Sequence, residues 1–202
     1  YNNIDFITLP TYCNKDEIKD YLKDLDKDTI IVGHFTVLGA ALNDWLIDKN
    51  EANISLNTFK NKYIKSVILG HLHKYQILNN KPLIFYTGSP DRIDFGEENN
   101  EKGFVVLDTN DYSYQFIETN AEKFKTIKID ITDVEDDIDD FIFNKLKTYN
   151  VKDCIVRTII NMNTDQTIDE QMIYKYLSNA KYLINIQKNF TNKKYKRNSD
   201  IT

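Results

Sequence analysis

Ser66-Val67-Ile68-Leu69-Gly70-His71-Leu72-His73 is the stretch that decides the reading. Four residues of β-strand type run into a glycine and then into two histidines one residue apart. A strand that ends this way delivers imidazoles at neighbouring points of its carboxyl-terminal tip, and glycine lets the backbone approach a small, charged centre closely. The pattern recurs where residues 29–32 run into Gly33-His34. His34, His71 and His73 are the three histidines of the chain, and each lies at the end of a β-like run that closes on glycine. An isolated histidine is more often a packing residue than a ligand; three in this arrangement point to metal ligation. Imidazole suits Zn, Mn or Fe, but three neutral ligands do not neutralise two divalent cations, so a dinuclear centre takes carboxylates from elsewhere.

Working outward, short β-rich runs at 4–9, 29–32, 66–69 and 83–86 alternate with helical patterns. Ile18, Tyr21, Leu22 and Leu25 recur at helical spacing after Asn14, which caps the helix while Glu17 reaches back to it. A second helix is expected over 41–48. This alternation predicts an α/β layer structure whose ligands gather where strand ends open into loops. All six glycines and all three prolines fall at or before residue 103, after which 104–107 and 112–117 read as a hairpin around Asn110-Asp111.

A new unit is then expected, giving domains 1–120 and 121–202. Strand 124–131 leads to a helix capped by Thr132 or Asp133, with Val134, Ile138, Phe141, Ile142 and Leu146 on one face. Strand 154–160 follows. The capping box Thr167-Ile168-Asp169-Glu170 opens a helix with Ile168, Met172, Ile173, Tyr176 and Leu177 inward, and strand 182–186 completes a β-α-β-α-β order.

The 202 residues are 41% hydrophobic and 28% charged, enough for one substantial domain or two small ones. Apolar runs fall far short of the roughly 20 residues that span a bilayer, so neither a membrane helix nor a signal peptide is expected. Cys13 and Cys154 lie far apart without a C-x-x-C partner, which excludes a zinc ribbon and makes the cytoplasm the simplest compartment. A net charge of −5 argues against nucleic-acid binding spread over the whole surface but leaves room for one local groove. With 23 Lys against 3 Arg, Arg92 and Arg157 stand out as positions where a rigid guanidinium fork serves better than Lys. The acidic run 135–140 reads as the first turns of a helix. The basic tail 188–197 reads as a frayed terminus. The chain opens directly into an apolar stretch after Tyr1 and looks like a piece of something longer.

Taken with Gly70-His71-Leu72-His73-Lys74, the segments from Gly88-Ser89-Pro90-Asp91-Arg92 through Ile93-Asp94-Phe95-Gly96-Glu97 and Lys102-Gly103-Phe104-Val105 resemble the SbcD exonuclease family of calcineurin-like metallophosphoesterases. These are bacterial and archaeal relatives of the eukaryotic double-strand-break repair nuclease. Gly33-His34-Phe35 through Gly39-Ala40 resembles the family's preceding histidine motif, and Thr8-Leu9-Pro10 the strand end before it. The likeness covers 1–108 by motif and 120–187 by pattern. Gly-His-x-His alone would indicate any metallophosphoesterase; joined to the Gly-Ser-Pro-x-Arg-x-Asp-Phe-Gly-Glu run it is far narrower.

The resemblance implies part of a metallophosphoesterase β-sandwich flanked by helices, followed by a small α/β capping domain. It implies phosphodiester hydrolysis at DNA ends, in repair and recombination, with two divalent ions, usually Mn²⁺. His34 and His71 would then hold one ion and His73 the other, while Ser89 and Arg92 would lie near the DNA backbone. For Ser89 a turn before Pro90, and for Arg92 an internal pair with Asp94 or Glu97, remain open. The expected partner is the SMC-like ATPase SbcC. The family's Asp-x-His, Gly-Asp and Gly-Asn-His motifs are absent, so no catalytic residue is assigned. The chain is expected to be inactive until an amino-terminal part, on the same or a complementing polypeptide, supplies them. Two other readings stay in play: a metallophosphoesterase of small phosphodiesters or phosphoproteins, and a noncatalytic DNA-binding or scaffold module.

Overall fold

The computed structural model describes residues 4–11, 14–41 and 54–191. Residues 42–48 of the expected helix, Cys13 and the tail beyond 191 lie outside the described residues. The chain divides into two compact units, Tyr1–Ala121 and Glu122–Thr202, and both are mixed α/β.

The first unit is built on a five-stranded sheet. Its strands are β1 (Asp5–Leu9), β2 (Thr29–His34), β3 (Ile64–Gly70), β4 (Gln76–Asn80) and β5 (Leu83–Tyr86), in the order β1-β2-β3-β5-β4. β1, β2, β3 and β5 run parallel and β4 returns antiparallel to β5. Every residue of β5 is buried, as expected of a strand covered on both faces. On one face Ile7, Leu9, Ile31, Val67, Leu69, Ile84 and Tyr86 form a core with Ile18 and Leu22 of helix α1 (Lys15–Leu22) and with Phe59. α1 starts as its sequence dictates. The Asn14 side chain accepts from the Asp16 and Glu17 amides at 2.9 and 3.0 Å, and Glu17 Oε2 accepts from the Asn14 amide at 2.9 Å.

A two-stranded antiparallel hairpin, β6 (Gly103–Leu107) and β7 (Tyr114–Glu118), completes the unit. Two aromatic stacks tie it to the sheet: Tyr75 on Phe116, with ring centroids 4.2 Å apart, and Phe85 on Tyr114, at 6.3 Å. Strand alternation places Phe6 and Val32 opposite the α1 core, and there they are 57% and 37% exposed.

The second unit is a three-stranded parallel sheet in the order β10-β9-β8. β8 (Lys123–Asp130), α2 (Ile138–Leu146), β9 (Cys154–Asn163), α3 (Glu170–Tyr176) and β10 (Tyr182–Thr191) follow one another as two βαβ turns. β9 alternates strictly, with Cys154, Val156, Thr158, Ile160 and Met162 buried. Apart from Thr158, these pack with Ile127, Ile129, Ile142, Leu146 and Ile173.

Four sequence expectations need correction. α2 does not begin at Thr132 or Asp133: the Thr132 amide and hydroxyl bond back to Asp130 Oδ1 at 3.0 and 2.7 Å, turning the chain before a helix can start. Of the acidic run, Asp139 and Asp140 lie in the first helical turn. α3 is capped by Asp169, whose carboxylate accepts from the Gln171 and Met172 amides at 2.9 and 3.2 Å, so the capping box does not start at Thr167. β10 continues past residue 186 to Thr191 because a bulge between Leu183 and Ile186 restores its register on β9, so residues 188–191 of the tail are ordered strand. β4 was not expected; it forms where the turn at Lys81-Pro82 folds Gln76–Asn80 back on β5.

Candidate metal centre

β2 and β3 are parallel neighbours whose last residues, His34 and Gly70, stand opposite one another. The next residue, His71, leaves the strand with a φ of 87°, a left-handed conformation that costs about 1–3 kcal/mol for a residue carrying a Cβ. The rings of His34 and His71 meet edge to face, with centroids 5.5 Å apart. Both residues are exposed. Leu72 drops into the core at 6% exposure, which returns the next side chain, His73, to the surface. Burying that leucine contributes about 1.5–3 kcal/mol, enough to hold the alternation.

The loop after His34 is held by side chains of β5 and β4. The buried Tyr86 hydroxyl accepts from the Val37 amide at 2.8 Å and donates to the Phe35 carbonyl at 2.9 Å. The Gln76 side chain clasps the Ala41 peptide, its Oε1 accepting from the amide at 2.7 Å and its Nε2 donating to the carbonyl at 3.0 Å.

The segment from Gly88 to Gly103 closes against the histidine loop. Gly88 has a φ of 73°, and a Cβ there would stand 2.8 Å from the Tyr75 amide nitrogen, so the close approach calls for glycine. Arg92 donates from Nε to the Glu97 carbonyl at 3.1 Å and from Nη2 to the Asn100 carbonyl at 2.9 Å, shaping this segment. Ser89 Oγ donates to the Asp91 carbonyl at 2.8 Å and accepts from Lys102 Nζ at 2.8 Å.

Glu97 lies at the centre of this arrangement. One oxygen, Oε1, is 2.7 Å from His73 Nδ1; the other, Oε2, accepts from Lys102 Nζ at 2.5 Å and from the Ile93 amide at 3.2 Å. Burial pushes the Glu97 carboxyl up, but the hydrogen bonds from Lys102, His73 and Ile93, with the Lys102 charge, outweigh it and hold the carboxyl below its ordinary range.

Two of the three imidazoles thus come together, at His34 and His71, while the third, His73, is held by Glu97. Among the described residues no group of three or more His, Cys, Asp or Glu side chains forms a metal nest. The donors fit a divalent ion in part. Two exposed imidazoles share one strand-end corner, and a Cβ on residue 70 would fall 2.7 Å from His34 Nδ1, so glycine keeps room for that ring. Two imidazoles alone do not complete a coordination sphere. Glu97 and Lys102 lie inside the motif run, but nothing in their spacing revealed that they meet at His73.

The fold and the strand-end histidines describe an α/β unit with two exposed imidazoles at the carboxyl edge of a parallel sheet. No protein-family model matches the chain. Among curated proteins it is similar to the SbcD subunit of the nuclease SbcCD of Staphylococcus epidermidis, at 25% identity over an alignment of 232 positions that covers all of this chain. The chain spans 59% of that relative's length. Among the described residues no helix is long and apolar enough to cross a membrane.

Proposed function

We propose that this chain is part of an SbcD-like, metal-dependent nuclease that hydrolyses phosphodiester bonds at DNA ends. The observation that carries the reading is the meeting of His34 and His71 at adjacent parallel strand ends, 5.5 Å between ring centroids. Similarity to a nuclease subunit along the whole chain supports it. His34 and His71 would hold one divalent ion and His73 the other, Mn²⁺ in both places. When bound, such a pair of ions polarises the scissile phosphate, lowers the pKa of a water and stabilises the leaving oxygen. The Gly88-to-Gly103 segment, with Ser89 and Arg92, would border the DNA backbone, Arg92 by shaping the loop that meets it.

The bridging carboxylate and catalytic histidine would come from polypeptide outside this chain, which spans 59% of its relative. The exposed apolar residues Phe6, Val32, Phe104 and Val106 support this, since a further layer of strands would cover them. By the likeness to SbcD, the second unit would correspond to that family's capping domain and the ATPase SbcC would be the partner.

The test is cleavage of linear duplex DNA with Mn²⁺ by the 202-residue chain alone and with a complementing polypeptide that carries the Asp-bearing motifs. The expected result is negligible cleavage alone and strong cleavage on complementation, abolished by His34→Ala or His73→Ala. Vigorous cleavage by the chain alone would refute the incomplete site. Histidine variants that leave the completed protein unchanged would favour the noncatalytic module, for which the lack of a three-ligand nest among the described residues speaks.

A further inference from the structure

The Glu97 carboxylate occupies a costly place. Its side chain is 6% exposed and that of its partner Lys102 is 1% exposed, whereas the His73 side chain they face is 44% exposed. A buried ion pair contributes little net stability over apolar residues of the same volume. Packing alone therefore gives no reason for a carboxylate here. Orientation of the exposed imidazole does. An ionised carboxylate can only accept, so a 2.7 Å contact to His73 Nδ1 requires the hydrogen to sit on Nδ1. Lys102 fixes both ends of the link: its ammonium binds Glu97 Oε2 at 2.5 Å, the His73 carbonyl at 3.1 Å and the Ser89 hydroxyl at 2.8 Å. The Ile93 amide takes a further share of Oε2, which leaves Oε1 for the ring.

We propose that Glu97, clamped by Lys102, is a positioning residue that locks His73 in the Nδ1–H form and so turns the lone pair of Nε2 outward as a ligand for a divalent cation. Histidines that bind metals commonly donate their second ring N–H to a carboxylate, and removing that partner costs about 10–100-fold in affinity. The inference rests on the metal reading above for what the lone pair receives, but the ring's hydrogen placement is a property of the metal-free chain.

The experiment uses the full 202-residue chain, ¹⁵N-labelled and metal-free at mildly alkaline pH. Long-range ¹H–¹⁵N spectra report which ring nitrogen of each histidine carries hydrogen, and His73 is assigned by its loss in His73→Gln. The expected result is Nδ1–H at His73, against the Nε2–H preference of a solvated neutral imidazole. In Glu97→Gln, where the side-chain amide can donate, the signature moves to Nε2–H; Glu97→Asp restores it in part. Mn²⁺ added to the unsubstituted chain broadens the ring signals, and Glu97→Gln requires about tenfold more to broaden that of His73. Finding His73 as Nε2–H in the unsubstituted chain overturns the proposal whatever the Glu97 variants do. An Nδ1–H His73 whose signals Mn²⁺ leaves untouched upholds the orientation and overturns cation binding by His73 in this chain.

Discussion

His34 and Gly70 face each other across the ends of two parallel strands, and the missing side chain of one makes room for the ring of the other. A Cβ on residue 70 would come 2.7 Å from His34 Nδ1, closer than unbonded atoms stand. Gly70→Ala therefore rotates His34 away from His71. The effect on stability is small, about 1 kcal/mol or less, because the ring is exposed and can swing. Mn²⁺ titration followed by broadening of the two ring signals should show a loss well beyond the change in denaturant midpoint. Unchanged broadening in a folded Gly70→Ala protein would mean that this corner is not where the ion sits.

Tyr86 supplies a second, separable effect. Its hydroxyl is the partner of both the Val37 amide and the Phe35 carbonyl within the core. Tyr86→Phe leaves these backbone groups without that partner and should destabilise the chain by about 1–3 kcal/mol. Urea denaturation measures this directly, and a shift below a few tenths of a kcal/mol would show that water replaces the hydroxyl.

Acid should weaken the protein partly through Glu97. Its carboxyl is held below the ordinary value, so the folded state binds that proton less readily than the unfolded state. The resulting stability is fully present above the unfolded pKa, about 4.3, and is lost as pH falls through the folded value. The stability gap between the unsubstituted chain and Glu97→Gln should narrow as pH drops from neutral into this range. Parallel curves across pH would assign the acid sensitivity to other carboxylates.

Asn14→Ala should cost about 0.5–2 kcal/mol, since it removes the acceptor of two amides at the start of α1. Asn14→Asp should keep most of the stability, because a carboxylate caps equally well. A circular-dichroism melt of both variants separates capping from any other role of the position.

What could be read in advance was chemistry confined to a few adjacent residues. The Asn14–Glu17 box specifies α1 by bonds within four residues, and the strict alternation from Cys154 specifies β9. β4 was illegible because Gln76-Ile77-Leu78-Asn79-Asn80 has no alternation of its own; it is a strand because β5 offers an edge. The start of α2 was misjudged because the Thr132 hydroxyl donates back to the Asp130 carboxylate instead of accepting from a helical amide ahead. At the site, glycine beside histidine pointed to the strand ends. That Glu97 and Lys102 would meet over His73 depends on how a whole loop folds back, which no local spacing encodes.

In the second unit each strand lies beside the one made just before it, so the sheet order β10-β9-β8 is the order of synthesis reversed. As the ribosome extends the chain, every new strand finds its neighbour already in place and closes a single helical crossover, whose entropic cost grows only slowly with its length. The first unit has no such convenience. There β5 inserts between β3 and β4, so one flank of β3 must stay open on the nascent polypeptide until the later strand emerges.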